Sequence, residues 1–285
     1  MANTRAIRRR IKGVQNTAKI TKAMEMIASS KMRKAQERGL AGRPYSEKIK
    51  QVIADVAALP QSESDLHPLL KRRPVKKIAV IHITPDRGLS GGLDSNLNRK
   101  AASFMLQQQV LVSMVLVGKR GIDYMRRFNR EIRAEFSKLG DKPSLIDTLP
   151  IARIVMEDYS QGLVDMVYVV YPRFVNTMKQ IPVVEQLLPI VPGESNKDHN
   201  TDYIFEPDAK AVLDVILPRF VESEIYHAIL ESIASEQSAR MVAMRNATES
   251  ANELLEALTL AYYKARQESI TSELLDIVTG SSAIG

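Results

Sequence analysis

The chain is 285 residues long, enough for one large or two ordinary domains, and its 45% apolar and 26% charged content excludes a disordered polypeptide. It contains no Cys, which excludes disulfides, thiolate catalysis and Cys-ligated metal sites. The net charge of +7 is uneven: residues 1–50 hold 14 Lys and Arg against 3 Asp and Glu, while the other 235 carry 26 against 30. The basic excess therefore belongs to the N-terminal arm, whose partner by composition is nucleic acid, anionic lipid or an acidic protein surface. Apolar runs such as VYVV from Val167 fall far short of the roughly 18 residues a membrane span needs. The basic N-terminus lacks the apolar stretch of a signal peptide.

The spacing predicts a first long helix over residues 1–60. Asn3 is placed to cap it, and Ile7, Ile11, Val14 and Ala18 recur at intervals of 4, 3 and 4, followed by Ile20, Met24 and Ile27. Gly13, Gly39 and Gly42 weaken this helix and Pro44 lies in its later part, before Ile49, Val52, Ile53 and Val56 restore the stripe and Pro60 ends it. The cluster Met24, Met26 and Met32 reads either as filler on a buried face or as a surface adapting to several neighbours. RAIRRRIK, KITK and SKMRKAQER have the charge of a DNA-binding arm but no aromatic residue for stacking before Tyr45.

Between residues 75 and 192 the period changes. Ile78–Thr84, Val110–Val117, Val164–Tyr171 and Ile181–Ile190 are β-rich, with Glu131–Phe136 a weaker run. Helical stretches alternate with them at Leu93–Gln109, Arg120–Asn129 and Leu149–Gln161, the last with Pro150 in its first turn, so a mostly parallel sheet with helical crossovers is expected. DRGLSGGLDSN, residues 86–96, joins a strand to a helix in the manner of a phosphate loop. Its glycines, Gly88, Gly91 and Gly92, fit neither G-x-G-x-x-G nor the P-loop spacing, and no Lys follows. Asp94 would repel an anion at the helix start, so a tight turn permitted by its glycines is the better reading. His67, His82, His199 and His227 show no i, i+4 pair, and no G-x-S-x-G motif is present. Neither a catalytic, a cofactor-binding nor a metal site is expected. ESNKDHNTD, residues 194–202, reads as a polar linker.

A second long helix is expected over residues 206–285. Pro207 and Asp208 suit its start, Pro218 marks a kink or restart, and Gly280 suits its end. Arg219 to Thr279 contains no Gly or Pro in 61 residues, which as one helix would be on the order of 90 Å long. Ala247, Ala251, Leu254, Leu258, Ala261 and Ala265 follow the 4, 3 spacing of a coiled-coil seam, thin because four of the six are Ala, and Ile270, Leu274 and Ile277 extend the stripe. The preferred fold is an α/β protein in which the two terminal helices form a long antiparallel coiled coil with the α/β domain inserted between them. Two separate helices, each packed on a different partner, is the alternative.

IKGVQNTAKITKAMEMIASSKMRKAQ, residues 11–36, resembles the N-terminal helix of the gamma subunits of F-type ATP synthases. DRGLSGGLDSN resembles that family's glycine turn, where Cys is common in place of Ser90; EPDAKAVLD, residues 206–214, resembles the start of its last helix, and ITSELLDIVTG, residues 270–280, its C-terminal signature. The likeness runs from end to end. One departure is Ser281 and Ser282, where the family often has small apolar residues. The resemblance implies a Rossmann-like inserted domain and a non-catalytic rotor shaft standing inside a ring of three alpha and three beta subunits. Proton-driven rotation of a c-ring would turn that shaft, with epsilon at its foot and the nucleotides on the ring. It implies that Lys22, Met24, Arg266, Gln267 and Thr271 face the beta subunits, that Leu274, Leu275 and Ile277 sit in the upper bearing, and that Tyr203 and Glu206 lie near epsilon and the c-ring. It implies no cofactor and no nucleic acid. With no transit segment ahead of the first helix, the expected location is the cytoplasmic face of a bacterial plasma membrane, peripheral to it. A basic coiled-coil nucleic-acid protein and a nucleotide-binding enzyme using the glycine turn are the rival readings.

Overall fold

The computed structural model describes residues 2–57, 67–128, 130–191 and 208–282. In chain order these form α1 (Ala2–Ala57), a 3-10 turn (Pro68–Leu70), β1 (Lys77–Ile83), α2 (Leu93–Gln107), β2 (Leu111–Val117) and α3 (Lys119–Met125), which a second 3-10 turn continues to Phe128. Next come β3 (Glu131–Phe136), α4 (Leu145–Ser160), β4 (Met166–Asn176), β5 (Lys179–Leu188) and α5 (Ala209–Ser282). The chain divides into two compact units, Ser29–Ala239 and Met1–Ala28 with Arg240–Gly285, so α1 and α5 each contribute to both.

In the unit Ser29–Ala239 five strands lie in the order β3-β2-β1-β4-β5, parallel except for the β4–β5 hairpin. Strands that are apolar on both faces need cover on both. On one face, Val80, Met114 and Leu116 pack with Leu97 and Ala101 of α2 and Ile122 of α3. On the other, Ile81, Val115 and Val169 pack with Ile151 and Val155 of α4, Ile53 and Val56 of α1, and Leu217, Val221 and Ile225 of α5. The weak run Glu131–Phe136 is an edge strand, its alternating exposure explaining its faint signal.

Three local expectations change. α4 begins at Leu145 rather than Leu149, because Ser144 and Asp147 form a reciprocal capping box, and this leaves Pro150 inside the helix rather than in its first turn. α5 runs through Pro218 and past Gly280 without a break; its start is capped by Asp208, whose Oδ1 accepts from the Ala211 amide at 2.8 Å. Gly42, a weak point in a helix by propensity, is where α1 makes room for α5: a Cβ there would stand 2.4 Å from the His227 ring. The positions of Pro60, Pro207 and residues 194–202 and the side chain of Asn3 lie outside the described residues.

The unit Met1–Ala28 with Arg240–Gly285 is two helices. On α1 the enclosed positions are Thr4, Ile7, Ile11, Val14, Ala18, Thr21, Glu25 and Ala28, and on α5 Met241, Met244, Thr248, Ala251, Leu255, Leu258, Tyr262, Ala265 and Ser269. Both series alternate steps of three and four, the heptad seam of a coiled coil. A hydrogen bond of 2.7 Å between the Thr21 and Thr248 hydroxyls and a pairing of Glu25 with Arg245 fix the direction as antiparallel. Carried along the heptads, that register sets Ala18 opposite Ala251. The expected seam is therefore correct in kind but out of phase in part. Leu254 and Ala261 face solvent while Leu255 and Tyr262 take the seam; Ile20 and Ile27 face solvent while Thr21 and Ala28 take it. Beyond Ser269 the register finds no more α1, and Ile270, Leu274, Leu275, Ile277 and Val278 are all exposed.

Two outcomes follow from this packing. Ala251→Phe should cost about 1–3 kcal/mol, since the seam has no space for a ring, whereas Ala261→Phe on the outer face should stay within about 0.5 kcal/mol; urea denaturation of both variants decides this. The second concerns His82 in β1, which is fully enclosed, shares a 2.8 Å hydrogen bond with Asn98 and leaves Nδ1 without a partner. Burial pushes its pKa down to about 4 from an ordinary 6.5, with the Asn98 bond opposing the shift. The unfolded chain takes up this proton below pH 6.5 and the folded chain only near 4, so the neutral ring supports the fold above pH 6.5 and that support drains away as pH falls between the two. The loss should be about 3 kcal/mol. Stability profiles of the native chain and of His82→Gln should converge by that amount over this window.

Candidate functional site

The end of β1, with the crossover α2 leaving it on one face and the crossover α4 leading into its neighbour β4 on the other, is the switch point at which open α/β sheets bind ligands, and the glycine turn lies there. Its geometry is that of a turn already filled by its own side chains. Ser90 is buried and donates to Asp94 Oδ1 at 3.0 Å, and Arg120 Nε donates to Asp94 Oδ2 at 3.3 Å. The carboxylate in the first turn of α2 thus occupies the electropositive helix end that a phosphate would need. Asp86 accepts from the backbone amides of Lys119 and Lys138, at 3.0 and 2.9 Å. Positive φ falls on Leu89 and Gly91, not on Gly88 or Gly92. Deeper in, Thr84 Oγ1 accepts from the Gly121 amide at 2.8 Å, and Gly118 holds a φ of 92° so close to the Thr84 carbonyl that a Cβ would lie 1.8 Å away. The gap between β1 and β2 is closed by backbone.

The helix pair places the residues singled out on it at two levels. Lys22 is exposed and Met24 half-buried, beside the Thr21–Thr248 and Glu25–Arg245 contacts. Arg266, Gln267 and Thr271 are exposed on α5, with Thr271 Oγ1 bonded to the Gln267 carbonyl at 2.9 Å. In the antiparallel register Arg266 stands about 18 residues beyond the level of Lys22, roughly 27 Å along the helix. The five residues are therefore not one site but two. Leu274, Leu275 and Ile277 follow, 58, 59 and 66% exposed. Tyr203 and Glu206 lie outside the described residues.

Sequence reasoning missed the acid at the first level. Glu25 is buried, accepts from Lys22 at 3.0 Å and from Arg245 at 3.1 Å, and is held below the usual carboxylate range chiefly by the Lys22 bond, with burial opposing. The signal was available as a carboxylate at a heptad position. Also missed were exposed apolar residues beside or near the seam, Leu260 and Tyr263; of the cluster Met24, Met26 and Met32, Met26 is exposed. Among the described residues no helix is long and apolar enough to cross a membrane.

A family model described as ATP synthase matches residues 3–284. The chain is 64% identical over 284 residues to the ATP synthase gamma chains of two strains of Dehalococcoides mccartyi, and 63% to that of a third, each match covering all of both chains. Among solved structures it is similar to a chain of the Euglena gracilis mitochondrial ATP synthase rotor in rotational state 1, with a TM-score of 0.65 at 20% identity over 94% of this chain and 99% of that one. A chain of the central stalk and c-ring structure of the Tetrahymena thermophila mitochondrial ATP synthase matches with a TM-score of 0.61 at 24% identity over 80% of this chain and 99% of that one. At such identities the structural likeness speaks to the fold alone. One consequence of the filled turn is measurable: millimolar ATP or ADP should not raise the melting temperature of the isolated chain, since a ligand at 100 times its Kd would add about 2.7 kcal/mol. A clear rise, abolished by altering Asp94 and Arg120, would restore the phosphate-loop reading.

Proposed function

We propose that this chain, which belongs to the gamma-subunit family of the F-type ATP synthases, turns as the central shaft of such an enzyme and couples c-ring rotation to the conformational cycling of beta subunits in an alpha–beta hexamer. The observation that carries the reading is the match to gamma chains over the whole length of both proteins. The geometry suits it, because in the unit Met1–Ala28 with Arg240–Gly285 two helices paired on one narrow seam present every other face outward. Residues 1–60 and 206–285 form the shaft in this proposal, and 75–192 the foot. Catalysis resides on the beta subunits. The filled glycine turn supports this division, since its polar groups already serve one another.

In this reading Lys22 and Met24 meet beta at one level and Arg266, Gln267 and Thr271 at another, while Leu274, Leu275 and Ile277 turn in the upper bearing. Exposed apolar side chains suit a bearing because they make few directional bonds to break at each step. Tyr203 and Glu206 belong to the side of epsilon and the c-ring. The chain would lie at the cytoplasmic face of a bacterial plasma membrane, held there by the c-ring. A shaft shifts its partners only by contacting them unequally, for equal contact shifts no equilibrium.

Mixing the chain with F-type alpha and beta subunits should give a complex holding one copy of it per three of each, with ATP hydrolysis that depends on its presence. Absence of any such complex, with the chain folded, would remove the reading.

A further inference from the structure

Glu25 is a buried acid whose two partners are not buried. It occupies a seam position of α1 at 7% exposure, while the side chains of Lys22 on the same helix and Arg245 on α5 are 57 and 51% exposed. Lys22 Nζ donates to Glu25 Oε2 at 3.0 Å and Arg245 Nε to Glu25 Oε1 at 3.1 Å. Each carboxylate oxygen thus holds one cation, one from each helix. One turn away the Thr21 and Thr248 hydroxyls meet at 2.7 Å, which keeps the two helices from sliding and the two cations level.

Stability is a poor reason for this arrangement. An apolar side chain of similar volume would fill the same place, and exchanging enclosed ion pairs for apolar groups is often neutral or stabilising. What the carboxylate supplies is position. Lys and Arg heads at a surface wander among rotamers, and fixing them on binding costs about 0.5–1.5 kcal/mol per side chain; Glu25 has fixed both beforehand. Its bonds engage one ammonium proton of Lys22 and the Nε–H of Arg245. They leave the terminal guanidinium nitrogens, whose fork matches a carboxylate. The cluster of two cations and one anion keeps a net positive charge toward solvent.

We infer that Glu25 is a positioning residue that holds Lys22 and Arg245 together as a two-helix receptor for a carboxylate-bearing segment of a partner protein. The inference rests on the shaft reading, in which Lys22 faces beta, and adds Arg245 as the second cation and Glu25 as the holder of both. A segment with carboxylates fits better than nucleic acid, because among the described residues no ring contact accompanies the two cations for a base to stack on.

The discriminating variant is Glu25→Met, which fills the seam and releases both cations. Two quantities are measured: the melting temperature of the chain, and ATP-driven proton transport per ATP hydrolysed in the assembled enzyme. The expected result is a melting temperature equal to or above that of the native chain, with coupling lowered several-fold. In a Lys22→Gln, Arg245→Gln background Glu25→Met should lower coupling no further. Unchanged coupling in Glu25→Met, a fall in coupling that tracks a fall in melting temperature, or an equal loss in the double-variant background would each overturn the inference. Should the Met variant fail to fold, Glu25→Gln, which keeps the shape of the side chain, is judged by the same readouts. Failure of the unmodified chain to assemble is a separate outcome that removes the shaft reading, and this inference with it.

Discussion

Two helices that pair with each other have one shared interface, and among the described residues of the unit Met1–Ala28 with Arg240–Gly285 that interface is a single heptad seam. Its width is set by small residues. Ala18 and Ala251 are both buried and stand opposite each other, so the backbones come close and little side-chain volume separates them. A seam so thin cannot hide everything apolar. Ile20, Met26 and Ile27 on α1, and Leu260 and Tyr263 on α5, remain 55 to 66% exposed although each adjoins or nearly adjoins a seam residue. Exposed apolar side chains in such number mark a surface that something else covers. The thinness of the seam and the availability of the outer faces are one property.

The unit Ser29–Ala239 obeys different physics. A sheet with apolar strands has two faces to cover, and the chain covers one with α2 and α3 and the other with α4 and with parts of α1 and α5. The second long helix, α5, meets the sheet through serines as well as apolar groups. Ser235 Oγ donates to the Pro172 carbonyl and Ser238 Oγ to that of Thr177, both at 2.8 Å, and these bonds satisfy backbone acceptors of the β4–β5 hairpin that packing alone would leave unpaired. The glycine turn belongs to this economy of internal satisfaction. It keeps the strand–turn–helix path of a phosphate loop, while Ser90, Asp94 and Arg120 bind one another where the ligand would be.

What the sequence reveals depends on how each element is stabilised. Strands enclosed on both faces, such as Ile78–Thr84, are legible because their whole run is apolar. The long helices are legible because nothing breaks them. Seam phase is less legible, since a period of 3.5 residues leaves two adjacent positions to choose between and composition favours the apolar one. At 254 against 255 both are Leu and only packing decides; at 20 against 21, and at 261 against 262, the polar or aromatic residue takes the seam. Thr21 wins over Ile20 because a hydroxyl partner waits on the other helix, and a partner so distant in the chain leaves no local mark. For the same reason Glu25 and Arg245 cannot be joined by reading along the sequence. The start of α4 was legible in principle, as Ser144 and Asp147 have the spacing of a capping box.

Charge gives the helix pair the inequality that a shaft needs. The outer face of α1 in this unit carries Arg5, Arg8, Arg9, Arg10, Lys12, Lys19 and Lys22, all exposed, while the stretch of α5 level with it carries Glu249, Glu253, Glu256 and Glu268, also exposed, against Arg245, Lys264 and Arg266. A helix with its side chains is about 10 Å across, and at physiological salt charges are screened over about 8 Å. A partner lying against one side of the pair therefore senses the near helix and little of the far one. As the pair turns, the same partner meets a strongly basic face and later one of nearly balanced charge. Differential contact of that kind is what moves a two-state partner from one conformation to the other, and it arises from a division of charge between the two ends of the chain that is already present in the amino-acid sequence.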